Sequence, residues 1–176
     1  MSRCVIISAC PVSASLASAL RPGDTIIACD AGYRNCGPLH CRPDIIVGDF
    51  DTAPCPAQEG GDTIILPHVK DDTDTEYAAK LAAQKGFDEV LLLGALGGKR
   101  VEHTLANLCT GLGLEQRGIR AALQDERSRI TFVLPGESRC YPKEEFFYFS
   151  AFPMEGRAEG VYEKGSFYEL EDAVLT

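Results

Sequence analysis

The sequence predicts an α/β fold in which a doubly wound, mostly parallel sheet is followed by a small, apparently incomplete all-β domain, and two observations predict it. Short β-branched runs recur between helical segments: CVIIS (4–8), TIIAC (25–29), DIIVG (44–48), TIILP (63–67) and VLLLGAL (90–96). They are continuously apolar rather than alternating, which suits strands covered on both faces, as in a parallel sheet. Beyond residue 126 the pattern changes to strand-like runs parted by Pro and Gly, with no helical period between them.

The segments between the early runs supply the covering helices. SASLASAL (13–20) predicts a short helix stopped by Pro22 and Gly23. TDTEYAAKLAAQKG (73–86) predicts a longer one: Thr73 and Glu76 fit a capping box, Tyr77 and Leu81 share a face, Glu76 and Lys80 form a favourable pair, and Gly86 supplies the stop. Another helix is expected from about Glu102 to Gln116, with Leu105, Leu108 and Leu112 as its inward stripe. Strand and helix in alternation give an open sheet of Rossmann-like type. In the later part RITFVLPGES (129–138) and EEFFYFSAF (144–152) read as strands, and GVYEKGSFYEL (160–170) is short and Gly-broken. The expected division is an α/β domain over 1–126 and a partial β-sandwich over 127–176, the latter too short to bury a core alone.

Composition bounds the function. A hydrophobic fraction of 45% and a charged fraction of 24% are those of a soluble globular protein. The net charge of −9 argues against nucleic acid or an anionic membrane as partner, yet is compatible with a nucleotide held through a metal ion. The eight cysteines include no C-x-x-C pair. Cys4, Cys29 and Cys109 lie in apolar segments as small hydrophobes, while Cys36, Cys41 and Cys55 fall in loops and form the one cysteine group worth testing for metal. The first apolar run is too short for a signal peptide and no run approaches membrane-spanning length, so a cytoplasmic protein is expected.

In an open parallel sheet, ligands bind beyond the carboxyl ends of the strands. Three of those ends are acidic here: Asp30-Ala31-Gly32, Gly48-Asp49-Phe50-Asp51 and Lys70-Asp71-Asp72-Thr73-Asp74. A lone Asp-x-Asp also suits the start of a solvated loop, and acidic residues in a first helical turn simply favour the dipole. The conjunction of three such ends at one edge is what favours a cation. Oxygen donors without histidine or thiolate select a hard ion, magnesium above all, and residues i and i+2 of an extended segment let Asp49 and Asp51 face the same ion.

The fifth apolar run ends in GALGGKRVEH (94–103). Gly94, Gly97 and Gly98 allow close backbone approach, Lys99 and Arg100 are cationic, and a helix begins directly after, so the segment suits either a phosphate cradle or a plain turn with two exposed bases. Its glycine spacing is one short of a Walker loop and no Ser or Thr follows Lys99. His103 and Asn107 lie one turn apart on that helix and either contact a ligand or serve as local hydrogen-bonding residues. Carboxylates facing a cationic glycine loop describe a site for a magnesium-bound polyphosphate.

DAG (30–32), PDIIVGDFDT (43–52), KDDTDTEYA (70–78) and GALGGKRVEHTLANL (94–108), in this order, resemble thiamine pyrophosphokinase, and LEDAVL (170–175) after GSFYE resembles a segment of that family's thiamine-binding β domain. The resemblance implies transfer of a diphosphate from ATP to the hydroxyl of thiamine, releasing AMP. It implies that Asp49, Asp51 and Asp74 are magnesium ligands with Asp71 close by, that Asp30 and Gly32 line the nucleotide crevice, that Thr73 meets phosphate, and that Arg100 stabilises charge on the transferred group. Gly98, Lys99, Glu102, His103 and Asn107 complete the expected nucleotide-binding set. A carboxylate such as Asp71 would accept the hydroxyl proton. Thiamine would lie between the α/β domain of one subunit and the β domain of another, which implies a homodimer.

Two departures stand out. The family pattern Gly-Gly-Arg-x-Asp-His meets Gly98, Lys99, Arg100, Val101, Glu102 and His103 here, so Glu102 is longer by a methylene and Lys99 is added or replaces a glycine. The family's Ser-Asn-Glu segment, which contacts thiamine, has no counterpart before Thr176. The expectation is that the coding sequence continues past Thr176, or that this chain binds nucleotide better than thiamine. Two other functions compete: a nucleotide-binding or assembly module without catalysis, and a magnesium-dependent phosphohydrolase.

Overall fold

The computed structural model describes residues 1–50, 54, 61–69, 71–142 and 148–176. The chain divides into two compact units, Met1–Glu137 and Ser138–Thr176. The first is a mixed α/β unit. Its strands are β1 (Arg3–Ile7), β2 (Thr25–Cys29), β3 (Ile45–Gly48), β4 (Asp62–Ile65), β5 (Glu89–Leu93), β6 (Arg120–Gln124) and β7 (Arg129–Thr131), and its α-helices are α1 (Asp74–Gln84) and α2 (Val101–Gln116). The sheet order is β4-β3-β2-β1-β5-β6-β7, parallel throughout except for the antiparallel β7. The order reverses direction at β1, so the crevice beyond the carboxyl ends of β1 and β5 is a topological switch point, where ligands of open α/β sheets bind.

Continuous apolar runs form these strands because each alternate side chain has its own cover. On one face Cys4, Ile6, Ile27, Cys29, Val47, Val90, Leu92 and Leu123 pack with Ala78, Ala79 and Ala82 of α1 and Leu114 of α2. On the other, Val5, Ile7, Ile26, Ala28, Leu91 and Leu93 pack with Leu16, Cys36 and Leu39. A fully buried Ile, Leu or Val stabilises by about 1.5–3 kcal/mol relative to exposure, so this double layer is the principal source of stability. Two short 3-10 helices, Ala14–Ala19 and Asp30–Cys36, supply the cover on the second face. The helix expected over 13–20 is therefore the 3-10 type, capped by the Ser13 hydroxyl, which accepts from the Ser15 N–H.

Three expectations are corrected in detail. Thr73 caps α1 by accepting from the Glu76 N–H at 3.1 Å. Glu76, however, does not return the bond to Thr73: its Oε2 accepts from the Thr110 hydroxyl at 2.6 Å, joining α1 to α2. The inward face of α2 is not the stripe of Leu105, Leu108 and Leu112. Leu108 and Leu112 are partly buried against the core, but Leu105 is 57% exposed and the fully covered positions are Asn107, Thr110, Gly111, Leu114 and Glu115. Gly111 is the reason, because a Cβ there would meet the Phe132 ring at 2.5 Å and Leu123 at 2.8 Å, and this close approach rotates the helix onto its small-residue face. Arg129–Thr131, expected to open the β domain, instead adds to β6 as the edge strand β7. Asp125 makes the tight turn between them by accepting the N–H groups of Arg127 and Ser128, so the first unit runs past residue 126 to Glu137.

The second unit contains an antiparallel pair, β8 (Ala158–Glu163) and β9 (Leu170–Leu175). Of the strand expected over 144–152, residues 144–147 lie outside the described residues, and 148–152 carry no regular structure. Among the described residues, no helix is long and apolar enough to cross a membrane.

Candidate functional site

The carboxyl ends of β1, β2 and β3 are drawn together by backbone contacts that only glycine permits. Gly32, one residue into the bend after Asp30 and Ala31, lies beneath the Ile7 carbonyl, where a Cβ would stand 2.1 Å from that oxygen. Gly48 ends β3 against Asp30, with a Cβ position 3.0 Å from the Asp30 Cα and 3.1 Å from its nitrogen. Asp30 itself takes a left-handed φ of 44°, a conformation Asp tolerates better than most residues. It is 7% exposed, and its Oδ1 is buried without a hydrogen-bond partner among the described residues. Such a carboxylate oxygen is costly to bury unless a cation or donor meets it.

Asp49 follows Gly48 directly and is 10% exposed at its side chain, with Nδ1 of His68 3.6 Å from its Oδ2. Asp74 opens α1, and its carbonyl accepts from the Cys29 thiol at 3.5 Å, which seats it beside the end of β2. Its Oδ1 is a buried atom. The neighbouring pair Ser8 and Thr75 share a buried hydroxyl–hydroxyl bond of 2.8 Å, tying the first turn of α1 to the end of β1. Cys29 registers the resulting negative charge: burial first, then the charges of Asp74, Cys4 and Asp30, push its thiol well above the ordinary range, against a hydrogen bond from Thr75.

The structure thus brings Asp30, Asp49 and Asp74 to one edge of the sheet. Asp51 lies outside the described residues, and among the described residues no group of three or more His, Cys, Asp or Glu side chains closes on one point. Asp71 is exposed, and Asp72 is engaged by Lys80, whose Nζ lies 2.7 Å from both of its oxygens. Asp71, Asp72, Thr73 and Glu76 line an open hollow of about 370 Å³ with Ala106 and Thr110 of α2.

The glycine loop after β5 meets the loop after β1 at the switch point. The Cys10 N–H donates to the Gly94 carbonyl at 3.0 Å, and Asn35, buried in the Asp30–Cys36 helix, donates its amide to the carbonyls of Ser8 at 2.9 Å and Cys10 at 2.8 Å. Gly94 has φ 63° and is hemmed in by those same carbonyls. Gly98 has φ 84° and lies against the Cys10 sulfur, while the Thr104 hydroxyl accepts from the Gly97 N–H at 3.1 Å. The Asn107 amide is committed to the Ala95 carbonyl at 2.7 Å, so it braces the loop from within. Lys99, Arg100, Glu102 and His103 are exposed at its rim, and Arg100 Nε pairs with Glu102 Oε1 at 2.7 Å. That pair, with the hydrogen bonds between Glu102 and Arg100 first among the causes, holds the Glu102 carboxyl below its ordinary range.

Sequence reasoning missed Asn35, Ser8, Thr75 and the pairing of His68 with Asp49. Ser8 ends the apolar run Cys4–Ile7 with a polar side chain, whereas Asn35 follows Arg34 in a polar stretch and leaves no such signal. His68 has none, because its partner is nineteen positions away in sequence but adjacent across the β3–β4 edge.

Three comparisons bear on this geometry. A family model described as thiamin pyrophosphokinase, catalytic domain, matches residues 16–123. No curated protein matches the chain. Among solved structures, thiamine pyrophosphokinase from Bacillus subtilis superposes with a TM-score of 0.87 at 23% identity, over 99% of this chain and 84% of that one. Thiamin pyrophosphokinase from Geobacillus thermodenitrificans gives 0.80 at 22% identity, over 99% and 83%. A thiamin pyrophosphokinase family protein from Enterococcus faecalis gives 0.74 at 23% identity, over 99% and 84%. At these identities the superpositions establish the fold, and the mixed α/β unit with its mostly parallel sheet is that fold.

Proposed function

The chain belongs to the thiamin pyrophosphokinase family, and from that premise we propose how its own residues serve the reaction. The activity is thiamine diphosphokinase: a diphosphate passes from ATP to thiamine, giving thiamine diphosphate and AMP. The observation that carries the site assignment is Asp30, whose buried Oδ1, beside the Gly48–Asp49 strand end, lacks a hydrogen-bond partner among the described residues.

Carboxylate oxygens are the donors that a hard divalent ion takes. Asp49, Asp74 and, by its place in the sequence, Asp51 are the proposed magnesium ligands, and Asp30 adds a carboxylate to the edge that holds Asp49 and Asp74. Magnesium there would offset the mutual repulsion of these groups and polarise the phosphoryl oxygens. Asp30 and Gly32 line the crevice of a doubly wound, Rossmann-like sheet, and the glycine loop offers the N–H groups at the start of α2 to phosphate. Thr73 approaches the phosphates from the start of α1. Gly98, Lys99 and His103 form the rim, while Asn107 acts through the loop it braces. Arg100 leaves Glu102 to stabilise charge that develops on the transferred group, a role that electrostatic catalysis makes large.

Little covalent chemistry falls to the protein, whose task is to hold the thiamine hydroxyl in line with the phosphorus it attacks. Asp71, exposed and beside the capped end of α1, is the proposed acceptor of the hydroxyl proton. The α/β domain over 1–126, extended by the β6–β7 hairpin, carries this chemistry, and the later residues contribute to thiamine binding in a homodimer. We place the reaction in the cytoplasm, with no nucleic-acid or membrane partner.

Following AMP and phosphate from ATP and magnesium, with and without thiamine, tests the reading. Thiamine-dependent AMP is the expected result. Phosphate released without thiamine would mark a phosphohydrolase, and nucleotide binding with no turnover would mark a binding module.

A further inference from the structure

We propose that Cys36 and Cys41 form a redox-responsive dithiol that closes to an intramolecular disulfide, a modification site at the opposite side of the sheet from the acidic strand ends. The 3-10 helix Asp30–Cys36 ends in a turn with two nested backbone bonds, Cys41 N–H to the Cys36 carbonyl and His40 N–H to the Gly37 carbonyl, each 3.0 Å. His40, at φ 52°, occupies the left-handed position between them. This is the Schellman arrangement, which sets the side chains at the two ends of the outer bond against each other, usually as an apolar contact. Here both are thiols, set against each other by the same two backbone bonds.

The two sulfurs differ in access. Cys36 is 2% exposed, whereas Cys41 is half-buried and faces an open hollow of about 380 Å³ that it lines with Leu20, Arg21, Pro22, Leu39 and His40. The hydrogen bond from Cys36, opposed by burial and aided by a backbone N–H, holds the Cys41 thiol below its ordinary range. Cys4, by contrast, is pushed up to about 12 by burial and the charges of Asp24 and Asp44. Cys41 is thus the attacking thiolate and Cys36 the resolving one.

The oxidant is a small-molecule disulfide such as glutathione disulfide. The Cys41 thiolate attacks one of its sulfurs, breaking that S–S bond, expelling one thiolate and leaving a mixed disulfide on Cys41. Cys36 gives up its proton to solvent and attacks the Cys41 sulfur, forming the Cys36–Cys41 bond and expelling the second thiolate. Two protein thiols are oxidised, one small disulfide is reduced to two thiols, and the expelled thiolates take up protons.

The test uses the folded full chain, incubated with glutathione disulfide, alkylated, digested and read by mass spectrometry. The peptide spanning Cys36 and Cys41 is expected to be unalkylated at both positions, lighter by two hydrogens, and restored by dithiothreitol. In a C36S variant whose circular dichroism matches the parent, glutathione is expected to remain on Cys41. Alkylation of both cysteines in the parent, or glutathione persisting on the parent's Cys41 without closure, would overturn the proposal.

Discussion

Gly48 and Asp30 touch through their backbones, with the vacant Cβ position of Gly48 3.3 Å from the Asp30 Cβ as well as against its Cα. The end of β3 therefore sets where the Asp30 carboxylate stands. A G48A substitution forces the two strand ends apart by a few tenths of an ångström, with a stability cost of about 1–3 kcal/mol. Because displacement of a positioned group by about 1 Å costs up to about a hundredfold in rate, kcat is expected to fall by roughly tenfold or more. Steady-state AMP formation, beside a urea melt of the same sample, separates the two effects.

Asp30 is buried at the acidic edge of the sheet, and D30N tests its role there. Asn accepts the left-handed φ of 44° as well as Asp does, so the backbone is preserved. Removing one of several mutually repelling carboxylates is expected to leave the melting temperature unchanged or raised in the absence of metal. Activity is expected to drop by about 10²-fold or more. A lower melting temperature together with full activity would show that Asp30 serves the fold alone.

Asn35 supports the switch point from behind. Its amide satisfies two carbonyls of the loop after β1, and N35A leaves both without that donor at a cost of about 1–3 kcal/mol. Since the Cys10 N–H in turn holds the Gly94 carbonyl, the loss is expected to spread to the glycine loop. A weaker nucleotide affinity, measured by calorimetry on protein that remains folded, is the expected outcome.

Most of the sheet was legible because burial on both faces leaves a run such as TIIAC with no polar interruption, and β2 spans those same residues. Helix α1 was legible because Thr73 is a local cap whose effect needs no tertiary partner. The face of α2 was not, since it is decided by the contact of Gly111 with Phe132, twenty-one positions away, and no period within the helix reports that. The same limit hid β7, three residues whose strand character comes from β6. In the site, acidic residues and glycines announced themselves at strand ends, but the buried amide of Asn35 acts through contacts that exist only once β1 and β2 are side by side.

Arg3 and Asp24 form a buried pair at the amino side of the sheet, 2.6 Å apart and 7% and 5% exposed at their side chains. Burial would raise Asp24, but hydrogen bonds from Arg3 and the Arg21 N–H, with the charges of both arginines, outweigh it and hold the carboxyl below its ordinary 3.8. The folded-state value is the lower one, so the pair's contribution is complete above 3.8 and is lost as pH falls through the folded value. D24N should cost up to about 3–5 kcal/mol near neutrality by removing the nearest carboxylate from buried Arg3, which keeps only Glu89 at 3.9 Å and the Ala19 carbonyl. It should also flatten the acid limb of the stability curve, which urea melts from pH 7 downward would record.

The central claim is that acidic strand ends separated in sequence serve one divalent ion and the nucleotide it carries. Electron paramagnetic resonance of manganese, titrated with ATP into the parent, D49N and D74N proteins at matched circular dichroism, tests it most directly. The account predicts nucleotide-dependent manganese binding in the parent and a loss of at least about tenfold in affinity in each variant, since each removes a ligand from the same ion. Parent-like binding in both variants would contradict it.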